Sequence, residues 1–162
     1  RIDERREYRR DTIVRIYSMT KPATSVAAMM LVEEGKMSLG DDISRWIPEL
    51  DDLKVHVDDQ VEDQWSRAVP ITIQQLLCHT AGFAYGYYQD SYVDRLYRRS
   101  RLLRPGSTLD QMAAKLGELP MASQPGTQWT YSIATDVLGL LIQRVSGVPF
   151  DRCLQQLIFE LP

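Results

Sequence analysis

The segment RIYSMTKPATSVAAMMLVEEG, residues 15–35, places a serine and a lysine three positions apart, with a proline directly after the lysine. A serine hydroxyl is a weak nucleophile at neutral pH and needs a base beside it. Residues three apart on a helix share a face, so Lys21 can reach Ser18 from the next turn. Burial among the apolar residues that follow should lower the pKa of Lys21 and leave a neutral amine. The spacing therefore predicts a nucleophilic serine with a lysine base.

Pro22 indicates where this helix begins. Proline is tolerated only in the first turn of a helix, which places the helix start close to Ser18. Amides at that end have no intrahelical acceptor, so the N–H of Ser18 is available to stabilise an oxyanion. Two other interpretations stay open. S-x-x-K arises by chance at many surface helix starts, and Pro22 as the first helical residue would leave Ser18 and Lys21 on no shared face.

The elements around this pair follow from hydrophobic period and capping residues. We expect a short strand at Thr12–Tyr17, then a helix over 18–34 that is apolar all round, hence buried, and ended by Gly35. Residues 41–63 are acidic and rich in loops, with a short strand in LKVHV. Further helices are predicted after Thr72, in SYVDRLYRRSRLLRPG, in STLDQMAAKLG, in IATDVLGLLIQRVS capped by Ser132, and over 150–158. The sequence thus predicts one mostly helical unit with a few strands.

Composition excludes several classes of function. The 162 residues carry a formal net charge of −3, which argues against binding to nucleic acid or to an anionic membrane. No apolar run approaches the roughly 18–20 residues of a membrane span. The charged start RIDERREYRRD is no signal peptide, and we expect a cytoplasmic protein. The five arginines between Arg95 and Arg104 are either a binding site or, as we expect, a solvated helix face.

Metal and disulfide chemistry are not indicated either. Cys78 and Cys153 belong to no CxxC pattern and are expected to be buried free thiols. His56 and His79 have no partner at metal-ligand spacing, so neither a metal site nor a cofactor is predicted.

Three blocks of the sequence together resemble a known family. They are RIYSMTKPATSVAAMMLVEEGKMSLGDDISRWIPEL, ITIQQLLCHTAGF and PGTQWTYSIATDVLGLLIQRVSG, and they extend the resemblance over residues 11–162. The chain resembles the serine β-lactamase-like hydrolases, and among them the family VIII carboxylesterases related to class C β-lactamases. The resemblance implies an α/β (α+β) fold of the β-lactamase/transpeptidase type. It makes Ser18 the acylated nucleophile and Lys21 the motif lysine.

The resemblance also implies a third catalytic residue. The tyrosine of the second family motif falls on Tyr131, which would relay protons between the serine and the leaving group. The alternative for Tyr131 is a buried aromatic with a bonded hydroxyl. His79, in LLCHTAGF, invites a Ser–His pairing, but the family has no catalytic histidine, so we expect a structural loop residue. Tyr85, Tyr87 and Tyr88 are candidate walls of an acyl pocket.

The departures from the family pattern are informative. Ile133 replaces the asparagine of Y-x-N and is a candidate substrate-binding position. Isoleucine cannot bond a substrate amide, which favours esters over lactams. The third family motif, with the second oxyanion donor, is absent from the sequence. We expect residues 1–162 to form a β-lactamase-related domain that is incomplete at both ends, lacks much of the antiparallel sheet, and is poorly soluble and nearly inactive alone.

The predicted reaction is hydrolysis of a small-molecule carboxylic ester through an acyl-enzyme on Ser18. A β-lactamase or D-alanyl-D-alanine carboxypeptidase on the same scaffold is the first alternative. A non-catalytic relative or inactive fragment that acts as a binding module is the second. The oligomeric state is not predicted.

Overall fold

The computed structural model describes residues 7–58, 61, 64–87 and 91–160. Six α-helices are present in this part of the chain, and the last continues as a π-helical turn over Gln155–Phe159. The α-helices are α1 (Thr20–Glu33), α2 (Ile73–Leu77), α3 (Tyr92–Ser100), α4 (Leu109–Gly117), α5 (Ala134–Ser146) and α6 (Phe150–Leu154). Short 3₁₀ turns cover Tyr17–Met19, Ile43–Arg45 and Pro48–Leu50.

The described residues contain one small sheet of two strands. Strand β1 (Lys54–His56) pairs antiparallel with β2 (Trp65–Arg67), with Val55 opposite Ser66. Met121 extends this sheet by a parallel bridge to Val55, and its backbone bonds Lys54 and His56. The short strand predicted in LKVHV is confirmed.

Helix α5 is the centre of the core, because its apolar residues face neighbours on every side. It packs against α1, α2, α4 and α6. Gly139 in its middle lets the ring of Phe150 approach, since a Cβ there would lie 3.4 Å from that ring. The core residues that α5 contributes are fully buried: Ala134, Val137, Leu138, Leu140, Leu141 and Ile142.

The predicted strand over Thr12–Tyr17 is wrong. The segment has no regular strand structure, and Ile13 is 98% exposed. A strand needs a hydrogen-bonded neighbour, and β1 and β2 bond each other instead of this segment. Alternation of apolar and polar residues was therefore insufficient to predict its conformation.

Helix α1 is also not buried all round. It begins at Thr20, and its buried residues Ala27, Ala28 and Leu31 face the core, whereas Val26 is 51% exposed. An apolar pattern on all faces shows which faces can be buried but not which ones are. Gly35 ends the helix with a positive φ of 69°, as predicted.

Most helix ends agree with the capping residues in the sequence. Thr72 and Thr108 each form a capping box, with Gln75 and Gln111 respectively. Helix α5 differs, because its N-cap is Ile133 rather than Ser132; the Ser132 hydroxyl instead accepts a hydrogen bond from the Ala134 N–H at 3.3 Å.

The surface predictions have a mixed outcome. On α3 the residues Val93 and Tyr97 are buried while Arg98 and Arg99 are exposed, which agrees with a solvated arginine face. Both cysteines are free, but only Cys153 is buried, and Cys78 is exposed. Within the described ranges, the helices fall short of the length and apolarity that crossing a membrane requires.

Candidate active site

Ser18 lies in the middle of the 3₁₀ turn Tyr17–Met19, directly before α1. Its neighbour Tyr17 has a φ of 47°, in the left-handed region that a bulky side chain rarely adopts. Such backbone conformations occur preferentially at functional sites, where the surrounding structure holds them. The turn presents Ser18 to solvent, at the N-terminal end of a 14-residue helix. An exposed serine at this position is accessible to a substrate.

The structure brings together the three predicted catalytic residues. The Oγ of Ser18 lies 2.7 Å from the phenolic oxygen of Tyr131, although the two residues are 113 positions apart. The Nζ of Lys21 lies 3.5 Å from the same Oγ, a long contact for a hydrogen bond. It is also 5.0 Å from the centroid of the Tyr131 ring. Ser18 therefore contacts the tyrosine more closely than the lysine.

The predicted low pKa of Lys21 is wrong. Partial burial acts to lower the pKa, but a hydrogen bond with Tyr131 and the negative charges that Tyr131, Tyr85 and Asp136 can carry outweigh it and raise the pKa. The pKa of Tyr131 is lowered, first by its hydrogen bond with Ser18 and then by that with Lys21. At neutral pH Lys21 is thus an ammonium ion, and the phenol is the group poised to lose a proton.

A cleft of about 320 Å³ opens beside Ser18. Its lining combines the polar side chains of Ser18, Lys21 and Asp136 with the apolar side chains of Leu109 and Phe150. The volume is at the lower limit of ordinary small-molecule sites, which are roughly 300–1,000 Å³. A reactive hydroxyl group in a cleft with partly apolar walls suits a small substrate with an apolar chain.

Asp136 is a member of this cleft that sequence reasoning missed. It lies in the first turn of α5, where a negative charge interacts favourably with the helix dipole. Its presence in the sequence therefore had an ordinary structural explanation. Burial raises its pKa, and the charge of Lys21 partly opposes that rise. Its carboxyl group adds to the negative field that raises the pKa of Lys21.

His79 holds the segment that carries Tyr131. Its carbonyl accepts a hydrogen bond from Thr130 N–H at 2.9 Å, and its Nδ1 accepts one from Ser132 N–H at 3.3 Å. Its ring lies 4.9 Å from that of Tyr131, between centroids. Burial, followed by the charge of Lys21, lowers the pKa of His79, which keeps the ring neutral and able to accept at Nδ1. These contacts fit a structural residue that positions Tyr131.

Comparison with known proteins identifies the family of this chain. The family model described as Beta-lactamase matches residues 1–161. The chain belongs to the β-lactamase family. It is 44% identical over 151 residues to Protein Rv1367c of Mycobacterium tuberculosis, covering 91% of this chain and 36% of that protein. It is 32% identical over 157 residues to Esterase EstB of Burkholderia gladioli, covering 96% of this chain and 38% of that protein.

Solved structures show the same fold. A structure entitled "EstCE1, a hydrolase with promiscuous acyltransferase activity" is similar with a TM-score of 0.70 and 32% identity, over 87% of this chain and 35% of that one. The fold is therefore of the β-lactamase/transpeptidase type, represented here by its helical part and a two-stranded sheet. The chain spans little more than a third of the length of these relatives.

The candidate substrate-binding residues of this β-lactamase-family chain have different positions. Tyr85 lines the cleft and is stacked on Tyr131, with ring centroids 5.8 Å apart. Tyr87 contacts Tyr85 edge-on but is 70% exposed, and Tyr88 lies outside the described residues. Ile133 is fully buried in the core, so its side chain does not reach the cleft. Of the three that the structure describes, only Tyr85 lines the cleft.

Proposed function

We propose that the protein carrying this chain is a serine esterase that works through an acyl-enzyme on Ser18. The observation that carries the proposal is the 2.7 Å contact between Ser18 Oγ and the Tyr131 hydroxyl, beside a lysine held as an ammonium ion. The nucleophile and a proton acceptor of lowered pKa are already within hydrogen-bond distance. The names of the relatives, an esterase and a hydrolase, support the same class of reaction.

The first half of the reaction forms the acyl-enzyme. The Tyr131 phenolate accepts the proton of Ser18 as Oγ attacks the ester carbonyl carbon. The negative charge that develops on the carbonyl oxygen lies beside Ser18, whose own backbone N–H is the donor that stabilises it. The N–H groups of Met19 and Thr20 already bond carbonyl groups of the preceding turn. Collapse of the intermediate breaks the bond to the alcohol oxygen, which receives the proton from Tyr131. Lys21 stays charged throughout and stabilises the phenolate between these transfers.

The second half repeats the same transfers with water. Water gives a proton to the Tyr131 phenolate as its oxygen attacks the acyl carbon. The bond to Ser18 Oγ then breaks, and Oγ recovers its proton from Tyr131. Each half therefore returns Tyr131 to its starting state, which is what a single residue needs in order to serve as base and then acid.

Ester hydrolysis is favoured over the action of a β-lactamase or D-alanyl-D-alanine carboxypeptidase. Ile133 stands at the position where the resemblance places the amide-binding asparagine, and its side chain is fully buried. A buried aliphatic side chain offers no hydrogen bond to a substrate amide. The remaining alternative, a binding module without turnover, does not explain why Ser18, Lys21 and Tyr131 lie in contact with one another.

The test compares p-nitrophenyl butyrate with nitrocefin, for the wild type and for Ser18→Ala. We expect ester turnover to exceed nitrocefin turnover, and Ser18→Ala to lose more than about 10³-fold in ester turnover, as loss of a nucleophile does elsewhere. Ser25→Ala, on α1 but outside the cleft lining, is the matched control. Comparable rates for wild type and Ser18→Ala would contradict the proposal, and preferential nitrocefin turnover would favour the β-lactamase.

Labelling locates the nucleophile directly. Trypsin does not cleave before Pro22, so one peptide, residues 16–36, contains both Ser18 and Ser25. A fluorophosphonate probe should modify this peptide, and fragmentation should place the mass on Ser18. Modification of Ser25, or of a different peptide in an active preparation, would exclude Ser18 as the nucleophile.

A further inference from the structure

Tyr131 lies between two amide groups that are both bound by one residue, His79. The Thr130 N–H donates to the His79 carbonyl at 2.9 Å, and the Ser132 N–H donates to Nδ1 of the His79 ring at 3.3 Å. The imidazole ring also packs beside the phenol ring of Tyr131, with 4.9 Å between centroids. His79 therefore holds the backbone on both sides of the proposed proton acceptor.

The two hydrogen bonds respond differently to acid. A carbonyl oxygen accepts at any ordinary pH, so the bond from Thr130 persists. An imidazole nitrogen accepts only while it carries no proton, and both nitrogens of an imidazolium ion are donors. Protonation of His79 therefore replaces the acceptor for the Ser132 N–H with a second donor that faces it. Ser132 is 1% exposed, so water can become the new acceptor only if the segment moves.

The groups that face the ring keep it neutral near neutral pH. The ring is faced by Lys21 from α1 and by Tyr131 from the segment that it binds, and the preceding residue Cys78 is exposed. Burial, followed by the positive charge of Lys21, lowers the pKa of His79 from its ordinary 6.5. The bond from Ser132 is therefore made at neutral pH and is lost only in acid.

The change is confined to the neighbourhood of Tyr131. The Ile133 N–H donates to the Ala84 carbonyl at 3.3 Å, a contact without a titratable group, so the start of α5 stays in place. The phenolic oxygen of Tyr131 lies 2.7 Å from Ser18 Oγ, and a small displacement of its backbone is enough to break that contact. Acid should therefore separate the two reacting groups without unfolding the chain.

We propose that His79 is a positioning residue whose neutral ring holds Tyr131 against Ser18, and that protonation of this ring releases the Tyr131 segment and stops the reaction in acid. This inference rests on the proposed esterase function. It assigns two protons to the loss of activity in acid. The first converts the Tyr131 phenolate to the phenol, and the second binds Nδ1 of His79.

The pH profile of the wild type distinguishes this switch from protonation of Tyr131 alone. We expect the logarithm of kcat/KM for p-nitrophenyl butyrate to fall with a slope of one below the pKa of Tyr131. Below the pKa of His79 the slope should approach two, because each inactivating proton adds one. The pKa of the phenol is lowered from 10.0 and that of the imidazole from 6.5, so the two parts of the profile belong to different groups.

Two amide side chains separate the acceptor from its titration. In His79→Asn the side-chain oxygen can take the place of Nδ1 without being protonated, and asparagine tolerates the φ of 56° that His79 adopts. This variant should keep kcat/KM within a few-fold of wild type at neutral pH and lose the steep part of the profile. His79→Gln places its amide one bond farther out, so it should lose roughly 10–10²-fold in kcat at neutral pH with little change in KM, the scale of a misplaced reacting group.

The matched control is His56→Gln, at the other histidine of this sequence. The Nε2 of His56 donates to the Val61 carbonyl at 3.1 Å, and a glutamine side chain can place an N–H group there. This variant should keep both slopes, and a thermal melt verifies that each variant is folded. The proposal is overturned if His79→Asn retains the steep part of the profile or if His56→Gln loses it.

A measurement without turnover separates this inference from the proposed function. In isotope-labelled wild type and Ser18→Ala, the NMR signal of the Ser132 amide should shift with the same midpoint as the His79 ring, and the shift should be absent from His79→Asn. A Ser132 amide that does not follow the ring would overturn the switch even in an active esterase. If the wild type hydrolyses no ester but amide and ring titrate together, the esterase is wrong and the positioning contact is supported.

Discussion

Lys21 and Arg144 each hold a polar cluster together, but the neighbours of the two cations differ in kind. Arg144 donates to both carboxylate oxygens of Glu49 at 2.7 Å, to Asp110 at 2.8 Å and to the Trp46 carbonyl at 2.9 Å. Lys21 has the hydroxyl groups of Ser18 and Tyr131 as its hydrogen-bonding partners, and the Asp136 carboxyl group acts on it only through its charge. The lowered pKa of Glu49 leaves its carboxylate without a proton to transfer near neutral pH, whereas the hydroxyl groups that Lys21 contacts carry one.

The consequence for each cluster follows from its pKa values. The hydrogen bonds from Arg144 lower the pKa of Glu49, and the same contacts raise that of Arg144, so both groups stay charged over the whole working range. The hydrogen bonds of Tyr131 with Ser18 and then with Lys21 lower its pKa, which favours transfer of a proton. The first cluster fixes structure, joining α5, α4 and the turn Pro48–Leu50. The second is arranged to move a proton.

The strongest test of this contrast is Tyr131→Phe, which removes only the hydroxyl. We expect a loss of roughly 10²–10⁴-fold in kcat/KM for p-nitrophenyl butyrate, the usual contribution of a general acid–base group. The ring stays, so the contacts with His79 and Tyr85 persist and the urea midpoint should be unchanged. Tyr87→Phe, at an exposed tyrosine, is the matched control and should keep the wild-type rate. A Tyr131→Phe variant within a few-fold of wild type would mean that another group accepts the serine proton.

The next test separates the charge of Lys21 from its basicity. Activity should rise with pH as Tyr131 loses its proton, below the ordinary phenol pKa because Ser18 and Lys21 lower it. Lys21→Met removes the positive charge, so the pKa of Tyr131 should rise, the acidic limb of the rate profile should move to higher pH, and the rate at neutral pH should fall about 10²-fold.

Lys21→Arg is the matched variant, since it keeps the charge but cannot act as a base. Its acidic limb should stay closer to the wild-type pH than that of Lys21→Met, even if its longer side chain lowers the rate. A neutral lysine base predicts instead that both variants lose activity to the same extent, because neither could then accept a proton. If the acidic limb of the Lys21→Met rate profile lies at the same pH as that of the wild type, the charge of Lys21 does not set the pKa of Tyr131.

The sequence predicted these clusters to different degrees. Ser18 and Lys21 are three residues apart, so local spacing was enough to pair them. Tyr131 lies 113 positions from Ser18 and was reached only through the family resemblance. The direction of the Lys21 pKa was wrong because burial was inferred from neighbouring residues, whereas the decisive phenol comes from a distant part of the chain. Asp136 had no local signal that separated it from an ordinary residue of a first helical turn.

The fold shows the same division between local and distant causes. The capping residue Thr72 and the terminal Gly35 were recognised because caps act within one turn. The strand expected at Thr12–Tyr17 and the exposed face of α1 depend on which segments pack beside them, and a single sequence does not contain that information. Arg144 and Glu49 are 95 positions apart, and each charge alone looked like surface composition.

The smallest expected effect concerns the Arg144 cluster, and it should appear in stability and not in rate. Arg144→Gln should lower the free energy of unfolding by about 1–3 kcal/mol, the range for hydrogen bonds to charged groups, because Glu49 and the Trp46 carbonyl lose their donor. Arg67→Gln is the control. Its 3.3 Å pair with Asp52 is about three-quarters exposed, so it should change stability by less than about 0.5 kcal/mol.

The pH dependence of that difference has a definite sign. The pKa of Glu49 is lower in the folded protein than its ordinary value, so its pairing stabilises the fold above the ordinary pKa and is lost as pH falls through the lowered one. Urea unfolding at neutral pH and in acid should therefore show the gap between wild type and Arg144→Gln narrowing as the pH is reduced. A gap independent of pH would assign the effect to the Trp46 carbonyl and to packing. A loss of ester turnover in folded Arg144→Gln would instead show that the residues around Arg144 affect catalysis at Ser18, contrary to the separate roles assigned to the two clusters.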